Sequence, residues 1–479
     1  MRHFVTSLLL LGCIAVRAMV SLPTVFDNNM VLQQNTEARI WGWAKPGDTV
    51  TVVPSWNSGC KATARADAAT GRWQLTVATP AASFEPHTIV IADSEGSVSL
   101  GNVLIGEVWL CSGQSNMEMP LRGFWAQPVE GSSQAIAYSG KYPGIRFFNV
   151  PKSGNYQPQE QSEGRWFVNN PMNSPEFSAL AYFFAQSLTD ILFCPVGIIS
   201  CAYGGAKLES WLPEEVVRTY PDIDLDAEKA GTAKVDDWHK AVLRYNSMLH
   251  PLRGYTIKGF LWNQGESNVG QHATYAERLA TLVGTWREMW GDATLPFYQV
   301  ELPGWNYGNP DATDAALLRE AQHRATKMID HCDIVSTVDL VYDFELEDIH
   351  ARRKQPIGER LAFMAAAETY GMTTIAHKYP ELTEIRIDGS NVVMRFDNVE
   401  GFLVPNDVLE GFEVAGDDHR FYPAPTVMQP GTYDVVVTAP AEVDKIRAVR
   451  YCFKNFCIGK VHSMQGLPLV PFRTDGWDY

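Results

Sequence analysis

The chain has no surplus of basic residues. Lys and Arg number 39 against 55 Asp and Glu, a net charge of −16 over 479 residues. Non-specific binding to nucleic acid or to an anionic membrane needs basic surface, so the balance argues against both. After the first twenty residues no apolar run is long enough to cross a bilayer as a helix. No internal repeat and no low-complexity linker is present. Cysteine is sparse at eight. The one close spacing, Cys452 to Cys457, has no histidine cluster beside it, which argues against a zinc site.

What is present fits globular domains. The chain is 46% hydrophobic and 20% charged, and its length suits two to three domains. The 14 Trp and 18 Tyr suit sugar-binding clefts, but filling cores is the commoner use of such rings. Residues 1–18 resemble a signal peptide: a positive start at Arg2 and His3, an apolar stretch from Phe4 to Val16, and Val16-Arg17-Ala18 as the small-residue cleavage site. The expectation is an exported protein, periplasmic or extracellular. Leu10-Leu11-Gly12-Cys13 also resembles a bacterial lipoprotein box, which would make a single lipid anchor at Cys13 the alternative. In an exported chain some cysteines can pair, and Cys452 and Cys457 could close a small loop.

Three textures follow one another. Residues 19–102 alternate in the manner of strands, with Lys45-Pro46-Gly47-Asp48 as a turn, and predict a β-sandwich. Over 103–375 short apolar runs alternate with helical stretches. The runs are VLIGEVWL, CPVGIIS, IKGFLWNQ, LPFYQVEL and DIVSTVDL. That alternation predicts an α/β domain with a mainly parallel sheet between helical layers. Within it, 121–176 is rich in Gly, Pro, Ser and Asn and reads as a long loop system that shapes a cleft. Over 376–479 the β-texture returns.

Polar breaks follow the apolar runs, and ligands bind at the carboxyl ends of strands in such sheets. Gly113-Gln114-Ser115-Asn116 follows the first run; a serine held there can be a nucleophile or part of an ordinary turn. Gly204-Gly205 could bring backbone N–H groups close to a substrate oxygen, or simply turn the chain. Asn263-Gln264-Gly265-Glu266 offers side-chain amides to an oxyanion, or another turn. His350 has Asp348 two residues before it and Glu347 three before. A carboxylate on one ring nitrogen holds a catalytic histidine in the right tautomer, but Asp348 could equally cap the next helix. Singly each signal is weak. Four such breaks after successive strands of one domain are a poor match to chance.

These motifs carry a family resemblance. GQSNM, Gly204-Gly205-x-x-x-Glu209-Ser210-Trp211, WNQGESN and DIHARRKQPIGERLA resemble the sequence blocks of the SGNH hydrolase superfamily, and among its members the sialate O-acetylesterase family. The likeness runs nearly end to end, through VFDNNMVLQQ, IWGWAKPGDTV, WREMWG and GLPLVPFRTD. It implies a three-layer α/β/α hydrolase domain with β-rich flanks, and removal of O-acetyl groups from sugars, typically sialic acid. It implies Ser115 as nucleophile, His350 as base and Asp348 as its orienting acid. The oxyanion donors would be the Ser115 N–H, a glycine N–H at Gly204 or Gly205, and the amide of Gln264, with Asn263 second. Gln114, Asn116 and Glu266 would pin these loops. One departure stands out: the wider superfamily has its acid three residues before the histidine, where this chain has Glu347.

The scheme asks for no metal and no organic cofactor, and its partner is an O-acetylated sugar. An anionic sialic acid would favour a cation near the site, with Arg122, Lys207 and Arg352 as candidates. A plant polysaccharide such as acetylated xylan or xyloglucan would favour aromatic platforms, with Trp125, Trp211 and Trp305 as candidates. A carbohydrate-binding protein with an inactive core is the reading outside enzymology; a complete Ser/His/acid set argues against it.

Overall fold

The computed structural model describes residues 20–477, apart from Cys60, 400–402, 405–407 and Tyr433. The expected leader at 1–18 and the anchor at Cys13 lie outside the described residues. Among the described cysteines, Cys452 and Cys457 included, all are free thiols.

The central sheet explains the alternating runs. Its strands in chain order are β1 (Ser97–Gly113), β2 (Ile145–Asn149), β3 (Trp166–Val168), β4 (Val196–Ala202), β5 (Gly259–Asn263), β6 (Phe297–Val300) and β7 (Cys332–Val335). Their spatial order is β7-β6-β5-β1-β4-β2-β3, parallel except for the β2/β3 pair. The buried strands Val196–Ala202 and Gly259–Asn263 flank β1, as continuous apolar runs do in a sheet covered on both faces. Helices α1 (Ser115–Glu118), α2 (Ala179–Leu192), α3 (His272–Trp290), α4 (Asp314–Thr326) and α5 (Lys354–Met364) serve this sheet. The rings of Trp211, Trp262, Trp286 and Phe297 pack together on one face. Trp109, Met117, Phe184 and Leu361 are buried in the cluster on the other.

The segment 121–176 contains more regular structure than its loop-like composition predicts. It supplies β2 and the antiparallel β3 at the sheet edge. The β-rich flanks are present as expected. Before β1, strands such as Glu37–Trp43 and Arg72–Ala78 pair antiparallel. After α5, two four-stranded sheets form, one around Asn391–Asp397 and one around Ala448–Tyr451. β1 belongs to both neighbours. Its first half pairs with Ser83–Ala92, and its second half runs between β4 and β5.

Candidate active site

Ser115 sits where the motif predicts, at the carboxyl end of β1 and the first position of α1. The chain leaves the sheet sharply there because residue 113 is glycine. Its φ is +136°, and a Cβ would lie 2.0 Å from the Asn263 carbonyl oxygen. The Gln114 N–H donates to that same oxygen at 2.9 Å, extending the ladder by one residue before the turn. Ser115 itself is half-buried.

Its neighbours are tied to the other motifs. Gln114 Oε1 accepts from Gln264 Nε2 at 3.2 Å and from the N–H groups of Gly265 and Ser267 at 3.3 Å each. Asn116 Nδ2 donates to Glu266 and, at 3.0 Å, to the Ile349 carbonyl. The Lys354 ammonium donates to Asn116 Oδ1 at 2.5 Å. Asn116 thus joins the loop after β5 to the residue preceding His350. Burial raises the Glu266 carboxyl. Burial lowers the Lys354 ammonium to about 8, against the opposing pull of Glu266, Asp348 and Glu345.

His350 is half-buried on the loop after β7. Burial, and then the nearby Lys354 charge, lower its imidazole to about 4, so it stands as a neutral base through the physiological range. The ring packs edge-on against Phe124, with centroids 5.1 Å apart. Its Nδ1 lies 2.7 Å from Gln127 Oε1. Asp348 makes a different contact from the one expected: Oδ1 accepts from the His350 backbone N–H at 3.0 Å. With only Ile349 between the two residues, the short Asp348 side chain caps the backbone while Gln127 takes the ring. Glu347 is exposed. Neither the Ser115 hydroxyl nor His350 Nε2 has a hydrogen-bond partner among the described residues, leaving both to substrate. Catalytic hydrogen bonds are often unmade until substrate arrives.

The expected oxyanion donors divide in two. The Gly204 N–H is taken: it donates to Glu118 Oε2 at 2.6 Å, and the other oxygen of Glu118 pairs with Lys152. Gln264 is taken too. Its amide donates to Gln114, to the Ala206 carbonyl and to Asn268, and its carbonyl oxygen Oε1 accepts from the Tyr275 hydroxyl. The Ser115 N–H, the Gly205 N–H and the Asn263 side chain have no partner among the described residues. Gly204 is close to Ser115, since a Cβ there would stand 3.6 Å from Ser115 Cβ. Gly205, at φ +78°, has Trp238 packed against its Cα.

The candidate recognition residues also separate. Arg122 is paired with Glu176, and Arg352 with buried Glu345. Lys207 lines a cleft with Asp222 and Glu228. Trp211 is core, and Trp305 is partly covered with its ring on Tyr307. Trp125 is 94% exposed at the tip of a turn closed by the Gln127 N–H on the Phe124 carbonyl. Gln127, Phe124, Lys354 and Glu118 are site residues that sequence reasoning did not single out. Only Lys354, four residues after His350, and Glu118, three after Ser115, had a positional signal.

Known proteins share this arrangement of sequence. Residues 105–367 match the family model for carbohydrate esterase, sialic acid-specific acetylesterase. The sialate O-acetylesterase of Mus musculus is 25% identical over 510 residues, covering 93% of this chain and 92% of that one. Its Homo sapiens counterpart is 24% identical over 488 residues, covering 93% and 91%. The crystal structure of a carbohydrate acetylesterase from Xanthomonas citri superposes with a TM-score of 0.84 at 31% identity, over 96% of this chain and all of that one.

Proposed function

Because this chain belongs to the carbohydrate esterase family of sialic acid-specific acetylesterases and is a carbohydrate acetylesterase, we propose that it removes O-acetyl groups from sialic acid through an acetyl-enzyme on Ser115. The observation that carries this reading is the bond from Asn116 to the Ile349 carbonyl, which couples the serine's loop to the histidine's.

His350 Nε2 takes the Ser115 proton as Oγ attacks the acetyl carbonyl carbon. The oxygen that gains charge is held by the Ser115 N–H, the Gly205 N–H and the Asn263 amide, the donors left uncommitted. The C–O bond to the sugar breaks, and His350 returns its proton to the leaving sugar hydroxyl. A water then gives a proton to His350 as it attacks the acetyl carbon, and His350 passes that proton to Ser115 Oγ as the acyl C–O bond breaks and acetate leaves. Asp348 supports the base by holding its backbone amide. Gln114, Asn116 and Glu266 keep the loops in register. The leader-like sequence of residues 1–18 supports export, with a lipid on Cys13 as the alternative.

A second reading, acetylated plant polysaccharide as substrate, is favoured by one observation. Arg122 and Arg352 spend their charge on Glu176 and Glu345, while Trp125 offers a bare ring. Acetate release from 9-O-acetyl sialic acid and from acetylated xylan, with wild type and Ser115→Ala, tests both. Serine-dependent release from the sialic acid upholds the first reading. Preference for xylan moves the substrate and keeps the mechanism. Full turnover by Ser115→Ala overturns the mechanism.

A further inference from the structure

The geometry points to Gln127 as the residue that positions the catalytic imidazole, through the ring nitrogen where a carboxylate would be expected. The inference rests on the reading of Ser115 and His350 as nucleophile and base.

The contact is short and direct, Nδ1 to Oε1 at 2.7 Å. An amide oxygen only accepts, so it holds the proton on Nδ1 and leaves the Nε2 lone pair for Ser115. Gln127 reaches the ring from a tight turn. The Gly123 N–H donates to the Pro120 carbonyl at 2.8 Å, and the Gln127 N–H to the Phe124 carbonyl at 3.1 Å. Gly123 has φ +78°, and a Cβ there would sit 2.4 Å from the Gln127 carbonyl oxygen, so the turn closes only with glycine. The same turn lays Phe124 against the imidazole, so ring plane and ring nitrogen are both set from one short segment. Asp348 is engaged elsewhere, on the backbone.

A neutral orienting group has a chemical consequence. It selects the tautomer, but it adds no charge to hold the imidazolium that forms during attack. The charges around the ring come from other elements: Lys354 on α5, Asp348 and buried Glu345 on the ring's own loop, Arg352 beside them, and Glu266 beyond Asn116. Burial opposes protonation of the ring first, and of these charges Lys354 adds to it. The base therefore works as a weak one that stays unprotonated far into acid.

The test uses the whole chain and four variants: Gln127→Ala, Gln127→Glu, Asp348→Asn and Ser115→Ala. Turnover of p-nitrophenyl acetate is followed against pH, and the imidazole ¹⁵N shifts report which ring nitrogen carries the proton. Gln127→Ala should lower kcat by about 10²–10⁴-fold, the span of a general base's contribution, with KM nearly unchanged and the Nδ1–H signature lost. Gln127→Glu keeps an acceptor and adds a charge. It should restore turnover relative to Gln127→Ala and move the acid limb of the profile to higher pH. Asp348→Asn should cost less than Gln127→Ala and leave the tautomer in place. If Gln127→Ala keeps wild-type kcat and the Nδ1–H signature while Ser115→Ala is dead, this inference fails and the nucleophile assignment stands. If Ser115→Ala still turns over, the assignment fails and takes the inference with it.

Discussion

Replacing Gly113 by alanine tests the junction between strand and nucleophile. The new Cβ would stand 2.0 Å from the Asn263 carbonyl oxygen, where real Cβ contacts keep to at least 3.0 Å. Both partners are backbone, so β1 and β5 must part by about 1 Å at the point where one presents Ser115 and the other Asn263. A misplacement of about 1 Å can cost roughly 10²-fold in rate. The strained backbone adds about 1–3 kcal/mol of destabilisation. Gly231→Ala is the control. That glycine also has positive φ, +70°, but a Cβ there meets nothing within 4 Å. It carries the backbone term alone, about 1–2 kcal/mol, and should leave kcat untouched. Urea unfolding and initial rates on p-nitrophenyl acetate measure the two quantities separately. A folded Gly113→Ala enzyme with wild-type kcat would refute the claim that this close approach sets the nucleophile.

Asn263→Ala should lower kcat by about 10²–10³-fold with little change in stability, as loss of a free oxyanion donor does; Gln264→Ala should chiefly lower the urea midpoint, because its amide is spent on Gln114, Ala206 and Asn268. The His350 value falls from 6.5 to about 4 on folding, so the unfolded chain binds more protons between those values. Stability should therefore decline as pH drops through that window, and the acid limb of kcat/KM should lie near pH 4, both read in a single pH series. Trp125→Ala should leave stability within about 0.5 kcal/mol, since the ring is 94% exposed. It should raise KM for an acetylated oligosaccharide several-fold and leave p-nitrophenyl acetate unaffected.

Most of the parallel strands were legible because burial on both faces, as in β4, β5 and β6, writes an unbroken apolar run. The polar breaks were legible because they follow those runs directly. Gln127 was not. Its role comes from a turn folding back across the cleft, and glutamine in a Gly- and Pro-rich stretch looks like any solvated residue. The choice among oxyanion donors was hidden for a related reason. Asn263 and Gln264 are adjacent and chemically alike, and only the partners brought by Gln114, Ala206, Asn268 and Tyr275 tell them apart. Asp348 was expected on the His350 ring and instead accepts from the His350 backbone N–H, a distinction of torsion angles that spacing does not encode. β2 and β3 were missed because both lie in a stretch whose Gly, Pro and Asn content reads as loop, and β3, at the sheet edge, is only three residues long.

The strand Ser97–Gly113 is a shared member of two sheets. Its amino half is secured by Ser83–Ala92 and, in parallel, by Val31–Gln33, while its carboxyl tip delivers the serine. The amino-terminal β-unit is therefore no detachable appendage that shuffling could exchange while the chemistry carries on. Strain applied to that unit runs along one continuous backbone to Ser115, and a protease cut on its far side would loosen the proposed nucleophile without touching a side chain around it.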